Sequence, residues 1–298
     1  MWDEIQFAIS LAVSGLSIGL MYSLIALGFV LVYKATDAIN FAQGEFVMLA
    51  GFVAAVALGA KGMPVIGAVL AAVAVMVAFG FGLERVVLRP LLGRPVVAVI
   101  MATIGLGAIL RGLPPITVGG ETRAVSLPIG DTPITFGPIS LPPIQVLGVI
   151  VTLMFLGAFT WFFLKSRMGV AMRAVADNQQ VAMAMGINVE RYFALAWAMA
   201  GTVSALGGVI WGSMLGVDVH LALVGLKVFP VVILGGLDSI IGAVVGGLIV
   251  GLVESLAAGY LDPYVGGGTK DFAPYVLMII ALMFKPYGIF GTHKIERV

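Results

Sequence analysis

The sequence predicts an all-α, polytopic integral membrane protein, and three observations carry that prediction. Sixty-one per cent of its 298 residues are hydrophobic and 10% are charged, where a soluble domain carries about 25% charged residues. The mean hydropathy is +1.13, so the chain has too little polar surface to cover itself in water. The charges fall between apolar blocks rather than inside them, and the blocks are long enough to cross a bilayer. Forty glycines suit this setting, because small residues let membrane helices approach closely. Gly15 with Gly19, and Gly246 and Gly247 with Gly251, have the small-xxx-small spacing, a weak signal in so glycine-rich a chain. We read residues 1–298 as a single transmembrane domain of about 8–9 helices.

The first span is expected over Ile9 to Tyr33, followed by a short polar break from Lys34 to Asp37. The second, Ile39 to Ala60, carries Asn40, Gln43 and Glu45 in its first turns, groups too costly to face lipid. Lys61, Gly62 and Pro64 make a tight turn into a third span ending at Leu83. Glu84 to Pro95 reads as a basic connection bearing Arg85, Arg89 and Arg94, and the fourth span runs from Val96 to about Gly112. The interval 113–143 holds seven prolines and only Glu121, Arg123 and Asp131 as charges. Such a density denies a helix or a central strand and predicts an extended loop outside the cytoplasm.

A fifth span covers Ile144 to Leu164, and another covers Tyr192 to about Leu215. Between them, residues 165–191 form the longest interval that reads as an aqueous helix. Arg173, Asp177 and Gln180 share one helical face at i, i+4, i+7, while Met168, Met172, Val175 and Ala182 share another. Gly186 is suited to stop that helix and Asn188 to cap the next. The interval is either a docking surface for a cytoplasmic partner or a solvated connection between spans. From 221 to 258 an apolar run is interrupted by Gly235-Gly236-Leu237-Asp238-Ser239, which fits two full spans or one broken, re-entrant helix. The last span is expected over Phe272 to Phe284, with a polar tail from Lys285 to Val298.

Eleven of the 16 lysines and arginines lie at Lys34, in 84–95, in 165–191 and in 285–298. Placing these segments in the cytoplasm satisfies the positive-inside rule with the amino terminus outside and the carboxyl terminus inside. The acidic start Met1-Trp2-Asp3-Glu4 agrees, and its lack of a basic n-region predicts no cleaved signal peptide.

Several chemistries find no support. The absence of cysteine excludes disulfides and thiol catalysis, and the net charge of +1 gives no nucleic-acid signal. His220 and His293 are isolated, so no metal site is expected, and no catalytic triad can be assembled. Gly266-Gly267-Gly268-Thr269-Lys270 only echoes a phosphate-binding loop, so any ATP must be held by another chain. What remains is polar residues at membrane depth: Asn40, Gln43 and Glu45 at one helix start, Thr103 and Arg111 on the fourth span, and Lys227, Asp238, Ser239 and Glu254 later. The alternative reading of Asn40 and Glu45 is helix capping, and that of Arg111 and Glu254 is snorkelling to the interface.

The runs Gly19-Leu20-Met21-Tyr22-Ser23-Leu24-Ile25-Ala26-Leu27-Gly28 and Ile39-Asn40-Phe41-Ala42-Gln43-Gly44-Glu45 resemble the opening of the permeases of branched-chain amino-acid ABC importers (LivH-type). Further matches are Glu84-Arg85-Val86-Val87-Leu88-Arg89-Pro90, Ser166-Arg167-Met168-Gly169, Ala184-Met185-Gly186-Ile187-Asn188, Leu234 to Ala243, and Pro286-Tyr287-Gly288-Ile289-Phe290-Gly291. They recur in order over nearly the whole chain.

The resemblance implies a permease in a bacterial inner membrane, itself no enzyme. Its partners would be a second, homologous permease, two cytoplasmic ATPases that bind Mg-ATP, and a periplasmic solute-binding protein. It implies that Arg167, Gly169, Arg173, Asp177, Asn178 and Gly186 belong to the ATPase-coupling loop, and that Asn40, Gln43, Glu45, Thr103, Arg111, Asp238 and Ser239 are candidates for the translocation path. Two departures bear on substrate: Gln43 stands where the family usually has histidine, and Arg111-Gly112 where many members have Gln-Asn. Branched-chain or other hydrophobic amino acids are the expected solutes, with urea, amides or carboxylates as alternatives within the family. An ion-coupled stand-alone carrier or channel working through Asp238 or Glu254 is the rival class.

Overall fold

The computed structural model describes residues 2–59, 62–91, 94–130, 132–137 and 139–292, and helix dominates them. Lys61, Asp131, His293 and the remainder of the tail lie outside the described residues. The first four helices are α1 (Trp2–Thr36), α2 (Gln43–Gly59), α3 (Val65–Leu83) and α4 (Val96–Thr117). A short hairpin of β1 (Ile134–Phe136) and β2 (Ile139–Leu141) follows, antiparallel, with Thr135 opposite Ser140. Then come α5 (Pro143–Lys165), α6 (Arg167–Asp177), α7 (Gln179–Ala184), α8 (Val189–Leu215), α9 (Leu223–Gly235), α10 (Ile240–Tyr260), α11 (Asp262–Val265) and α12 (Thr269–Phe284). Among the described residues, six helices are long and apolar enough to cross a membrane, in α1, α3, α4, α5, α8 and α10; the stretches Gln43–Gly59 and Val219–Gly235 are apolar but shorter.

Several boundaries differ from the sequence expectation, four of them with a clear physical reason. The second span starts at Gln43, because Asn40 holds residues 40–42 in a turn, its Oδ1 accepting from the Ala42 N–H at 3.1 Å. The expected connection after Leu83 stays helical to Leu91, first as a π-turn over Glu84–Leu88 and then as a 3₁₀ turn over Arg89–Leu91. The π-turn brings residues five apart onto one face, so Arg89 closes on the buried Glu84 at 3.2 and 3.0 Å. Helix α4 runs on through Pro114 and Pro115, whose backbone angle fits a helix although they supply no N–H, and Val118 N–H closes on the Pro114 carbonyl at 2.9 Å. Finally, α9 has 13 residues, about 20 Å of helix, and is too short to span the bilayer, whereas α10 has 21.

Two compact units divide the chain. In the unit built from residues 27–128 and 154–225, α8 packs on α2 and α3 through small residues. A Cβ added at Gly208 would lie 2.4 Å from the Val47 carbonyl, and one at Gly201 2.3 Å from that of Met76. Helix α3 reciprocates with Gly80, whose absent side chain leaves room for the Trp197 carbonyl. Phe46 fills the remaining space, edge-on to Phe79 at 5.2 Å and tilted to Trp197 at 6.1 Å.

In the unit built from residues 1–26, 129–153 and 226–298, the amino-terminal part of α1 meets α10 by the same device. Gly15 faces the Gly251 carbonyl and Gly19 that of Gly247, so the two weak sequence motifs are complementary halves of one contact. Ser23 Oγ adds a bond to the Val244 carbonyl at 3.3 Å. The tail docks on the end of α9, with Ile289 and Phe290 N–H groups donating to the Leu234 and Gly235 carbonyls at 2.8 and 3.0 Å. Beyond α10, Asp262 Oδ1 accepts from the Thr269 hydroxyl and from its N–H at 2.8 Å, which holds that carboxyl below its ordinary pKa.

Replacing Gly208 by valine forces α8 away from a backbone carbonyl that cannot retreat, so the thermal midpoint of the detergent-solubilised protein falls by the equivalent of about 1–3 kcal/mol or more. Gly82→Ala, where nothing lies within 4 Å, raises it or leaves it unchanged. Equal midpoints for Gly208→Val and Gly82→Ala contradict this packing.

Candidate functional site

Five of the seven candidate path residues gather in one place. The turn before α2 and the first turn of α2 supply Asn40, Gln43 and Glu45, and α4 supplies Thr103 and Arg111. Asn40, Gln43 and Thr103 are fully buried, and Glu45 nearly so. Asn40 Nδ2 donates to Gln43 Oε1 at 3.1 Å, and Gln43 Nε2 donates to Ser204 Oγ on α8 at 3.0 Å. The Ser204 hydroxyl passes its own hydrogen to the Ala200 carbonyl at 2.8 Å. Phe41 N–H donates to Thr103 Oγ1 at 3.2 Å, tying the turn to α4. Each of these side chains therefore has a partner, as burial requires.

The charges in this cluster are balanced. Arg111 Nη2 donates to Glu45 Oε1 in an ion pair whose carboxylate is buried and whose guanidinium is half exposed, with 49% of its side-chain surface accessible. Gly107 stands beside the pair, where a Cβ would lie 3.3 Å from the Glu45 carboxyl carbon. Asn40 does act as a turn cap, while Glu45 pairs with Arg111 instead of capping its own helix. Arg111 is thus no free snorkelling cation.

Asp238 and Ser239 fall in the other unit. Asp238 accepts from the Thr292 hydroxyl and from its N–H at 3.2 Å, clamping the tail, and Ser239 caps α10 by accepting from Gly242 N–H at 2.9 Å. In the same unit Lys227 lies between Glu254 at 3.2 Å and Asp271 at 2.7 Å. Glu254 is buried, and its Oε2 has no hydrogen-bond partner among the described residues. The residues that sequence reasoning passed over are Ser204 and Asp271. Ser204 carried a usable signal, since it shares the small face of α8 with Gly201 and Gly208 at i−3 and i+4. Among the described residues, no three potential metal ligands cluster.

The interval 165–191 is two short helices rather than one. Ser166 caps α6, accepting from Gly169 N–H at 2.8 Å, and Asn178 ends it and caps α7, accepting from Val181 N–H at 3.0 Å. Met172, Val175 and Ala182 are buried, as their spacing predicts, whereas Met168, expected on the same face, is 38% exposed at the start of α6. Arg173 turns inward: it donates to the Phe163 carbonyl and stacks over the Phe163 ring at 5.5 Å. The break at Asn178 takes Gln180 off the face shared by Arg173 and Asp177. Arg167, Asp177 and Asn178 remain exposed, and Gly186 closes the loop with φ +81°. Gly169 sits against the Phe163 carbonyl, 2.4 Å from where its Cβ would be.

A family model described as "branched-chain amino acid transport system / permease component" matches residues 11–283. The high-affinity branched-chain amino acid transport system permease protein BraD of Pseudomonas aeruginosa is 32% identical over 310 residues, covering 99% of each chain. The corresponding LivH protein of Escherichia coli K12 is 31% identical over 316 residues and covers all of both. A probable LivH protein of Methanocaldococcus jannaschii is 29% identical, over 92% of this chain and 90% of its own.

Removing one partner of the Glu45–Arg111 pair leaves a charge without its counterion. Arg111→Met should therefore lower the thermal midpoint more than the double change Glu45→Gln/Arg111→Met, with a coupling of about 0.5–3 kcal/mol in the cycle. Strict additivity of the two single changes contradicts the pairing.

Proposed function

The chain belongs to the family of branched-chain amino acid transport system permease components, and from that premise we propose that it is one membrane-spanning half of an ATP-driven importer for branched-chain and similar hydrophobic amino acids. It is a multi-pass membrane protein and a transport subunit. In this reading its partners are a second, homologous permease, two cytoplasmic ATPases that hold Mg-ATP, and a solute-binding protein on the opposite side. The basic segments 84–95 and 165–191 face the cytoplasm of a bacterial inner membrane, with the amino terminus outside and the carboxyl terminus inside.

The observation that carries the reading is the form of the loop 165–191. Its apolar residues include a buried set, Met172, Val175 and Ala182, and exposed ones, among them Val181 and Met185, four apart on one side of α7, the last with 77% of its surface accessible. An exposed apolar strip on an otherwise polar segment supports a protein contact, and Arg173 secures α6 to the end of α5 so that force applied to the strip reaches the spans. Nucleotide-driven movement of the ATPases then opens the path alternately to each side.

The cluster of Asn40, Gln43, Glu45, Thr103 and Arg111, with Ser204, is our candidate for the part of the path that this chain contributes. Because Arg111 is neutralised by Glu45, the guanidinium gives no reason to prefer a carboxylate solute, which favours the amino-acid reading over the acid one.

Two substitutions separate the contact from the strut. In proteoliposomes containing the assembled transporter, Met185→Glu should weaken retention of the ATPases on purification. Arg173→Glu sets a negative charge against helix-end carbonyls and should abolish most uptake while ATP hydrolysis and membrane insertion persist. Undiminished uptake with Arg173→Glu would count against the coupling role.

A further inference from the structure

Helix α4 meets the rest of its unit along one side. Its buried residues are Thr103, Gly107, Leu110 and Pro114, at i, i+4, i+7 and i+11. Much of its remaining surface is apolar and suits lipid, as at Ile109 and Ile116, 64% and 84% exposed. Arg111 does not suit lipid.

The depth of its guanidinium makes the conflict plain. Helix α4 has 22 residues, about 33 Å of helix against a hydrocarbon core of about 30 Å. Gly107, beside the Glu45 carboxyl, lies midway along it. The Arg111 side chain reaches back to that level to meet Glu45, the direction long side chains take on a helix. Yet 49% of its side-chain surface is accessible, and among the described residues Nη2 alone of its donors is engaged. A guanidinium held near mid-membrane with donors to spare must face protein or a watery path, because hydrocarbon offers it no acceptor.

The neighbouring surface favours protein. Gly105, Ala108 and Gly112, at i, i+3 and i+7, are exposed on the side away from the buried row, and Ala108 adjoins Arg111 one turn earlier. A Cβ at Gly105 or Gly112 would meet nothing within 4 Å. By contrast, Gly15, Gly19, Gly201 and Gly208 each lie against a carbonyl of a facing helix. The row on α4 has the same form, and no described helix of this chain lies against it. Small residues let a second helix backbone come close, which brings its oxygens within reach of the open edge of the guanidinium.

We propose that the face of α4 bearing Arg111, Ala108, Gly105 and Gly112 is the seam with the second, homologous permease. The partner presents there a membrane helix of small residues with a neutral oxygen acceptor, a carbonyl, hydroxyl or amide, at the level of Arg111. A carboxylate is already supplied by Glu45, and a cation at that level would be repelled. The inference rests on the importer reading, which supplies the partner, and it sets the Glu45–Arg111 pair at the boundary between the two permeases.

The test uses the transporter assembled in membranes with all its subunits. Met101 is 58% exposed and stands one turn before Gly105; Leu70 on α3 is 63% exposed. Photoreactive p-benzoylphenylalanine replaces each in turn, and the adducts formed on irradiation are identified by mass spectrometry. Position 101 should join covalently to the second permease, in higher yield than position 70. Independently, Gly105→Leu with Gly112→Leu should cut co-purification of the second permease about tenfold or more. The thermal midpoint of the detergent-solubilised chain should stay level or rise with the same pair, since the added side chains meet nothing in their own chain. Adducts at position 101 with phospholipid alone or with a second copy of this chain overturn the proposal, as does undiminished retention of the partner by the double variant. If the unaltered chain retains no second permease, the importer reading itself fails; retention without the position-101 adduct overturns only this seam.

Discussion

The close seating of α8 on α2 is the contact on which the candidate site depends. Glycines at 201 and 208 on α8 bring its backbone against the carbonyls of Met76 and Val47, and Ser204 lies between those two glycines. Only at that separation can a side chain as short as serine reach the Gln43 amide. Gly28 of α1 completes the arrangement from another direction, since a Cβ there would lie 2.2 Å from Gln43 Nε2. Bulk at any of these positions would part the helices and strand the amide without a partner, at a cost that rises in a medium with no water to replace the lost bond. Small residues thus serve two ends here: van der Waals contact between helices, and a buried polar chain that is fully satisfied.

Electrostatics in the chain obeys the same constraint. Glu45 is paired with Arg111, Glu84 with Arg89, and Glu254 with Lys227. In each pair the carboxylate is the more deeply buried member and the cation reaches it from a more accessible position. Long basic side chains tolerate that placement because their stems lie along apolar surface while the head group stays nearer to water. The pairs set each acid at depth beside a cation, so each unit can hold both without presenting an unpaired charge to lipid.

The loop 165–191 applies these local rules to a short segment between two spans. Helix caps at Ser166 and Asn178 cut it into two pieces, and Arg173 braces the first against the free carbonyls at the end of α5, where a cation is favoured by the helix dipole. Gln179 adds a second point of attachment, to the end of α1.

Much of the helical architecture was legible in the sequence, because hydropathy over a 20-residue window reports directly on burial in lipid. The spans α1, α3, α4, α5, α8 and α10 all announce themselves that way, and ordered motifs carried the family. The capping position Asn188 was equally open to inspection, since capping is chemistry between neighbours in the chain. The π-turn at Glu84 was not, because the charge pair that accompanies it closes only once the carboxylate is buried. Nor was the partner of Gln43, which sits 161 residues away on another helix. The inward turn of Arg173 and the pairing of Arg111 with Glu45 belong to the same class. A linear pattern specifies which side chains cannot face lipid; which of them meet is decided by helix-to-helix distance, and that distance is set by glycines whose opposing partners appear only when the chain has folded.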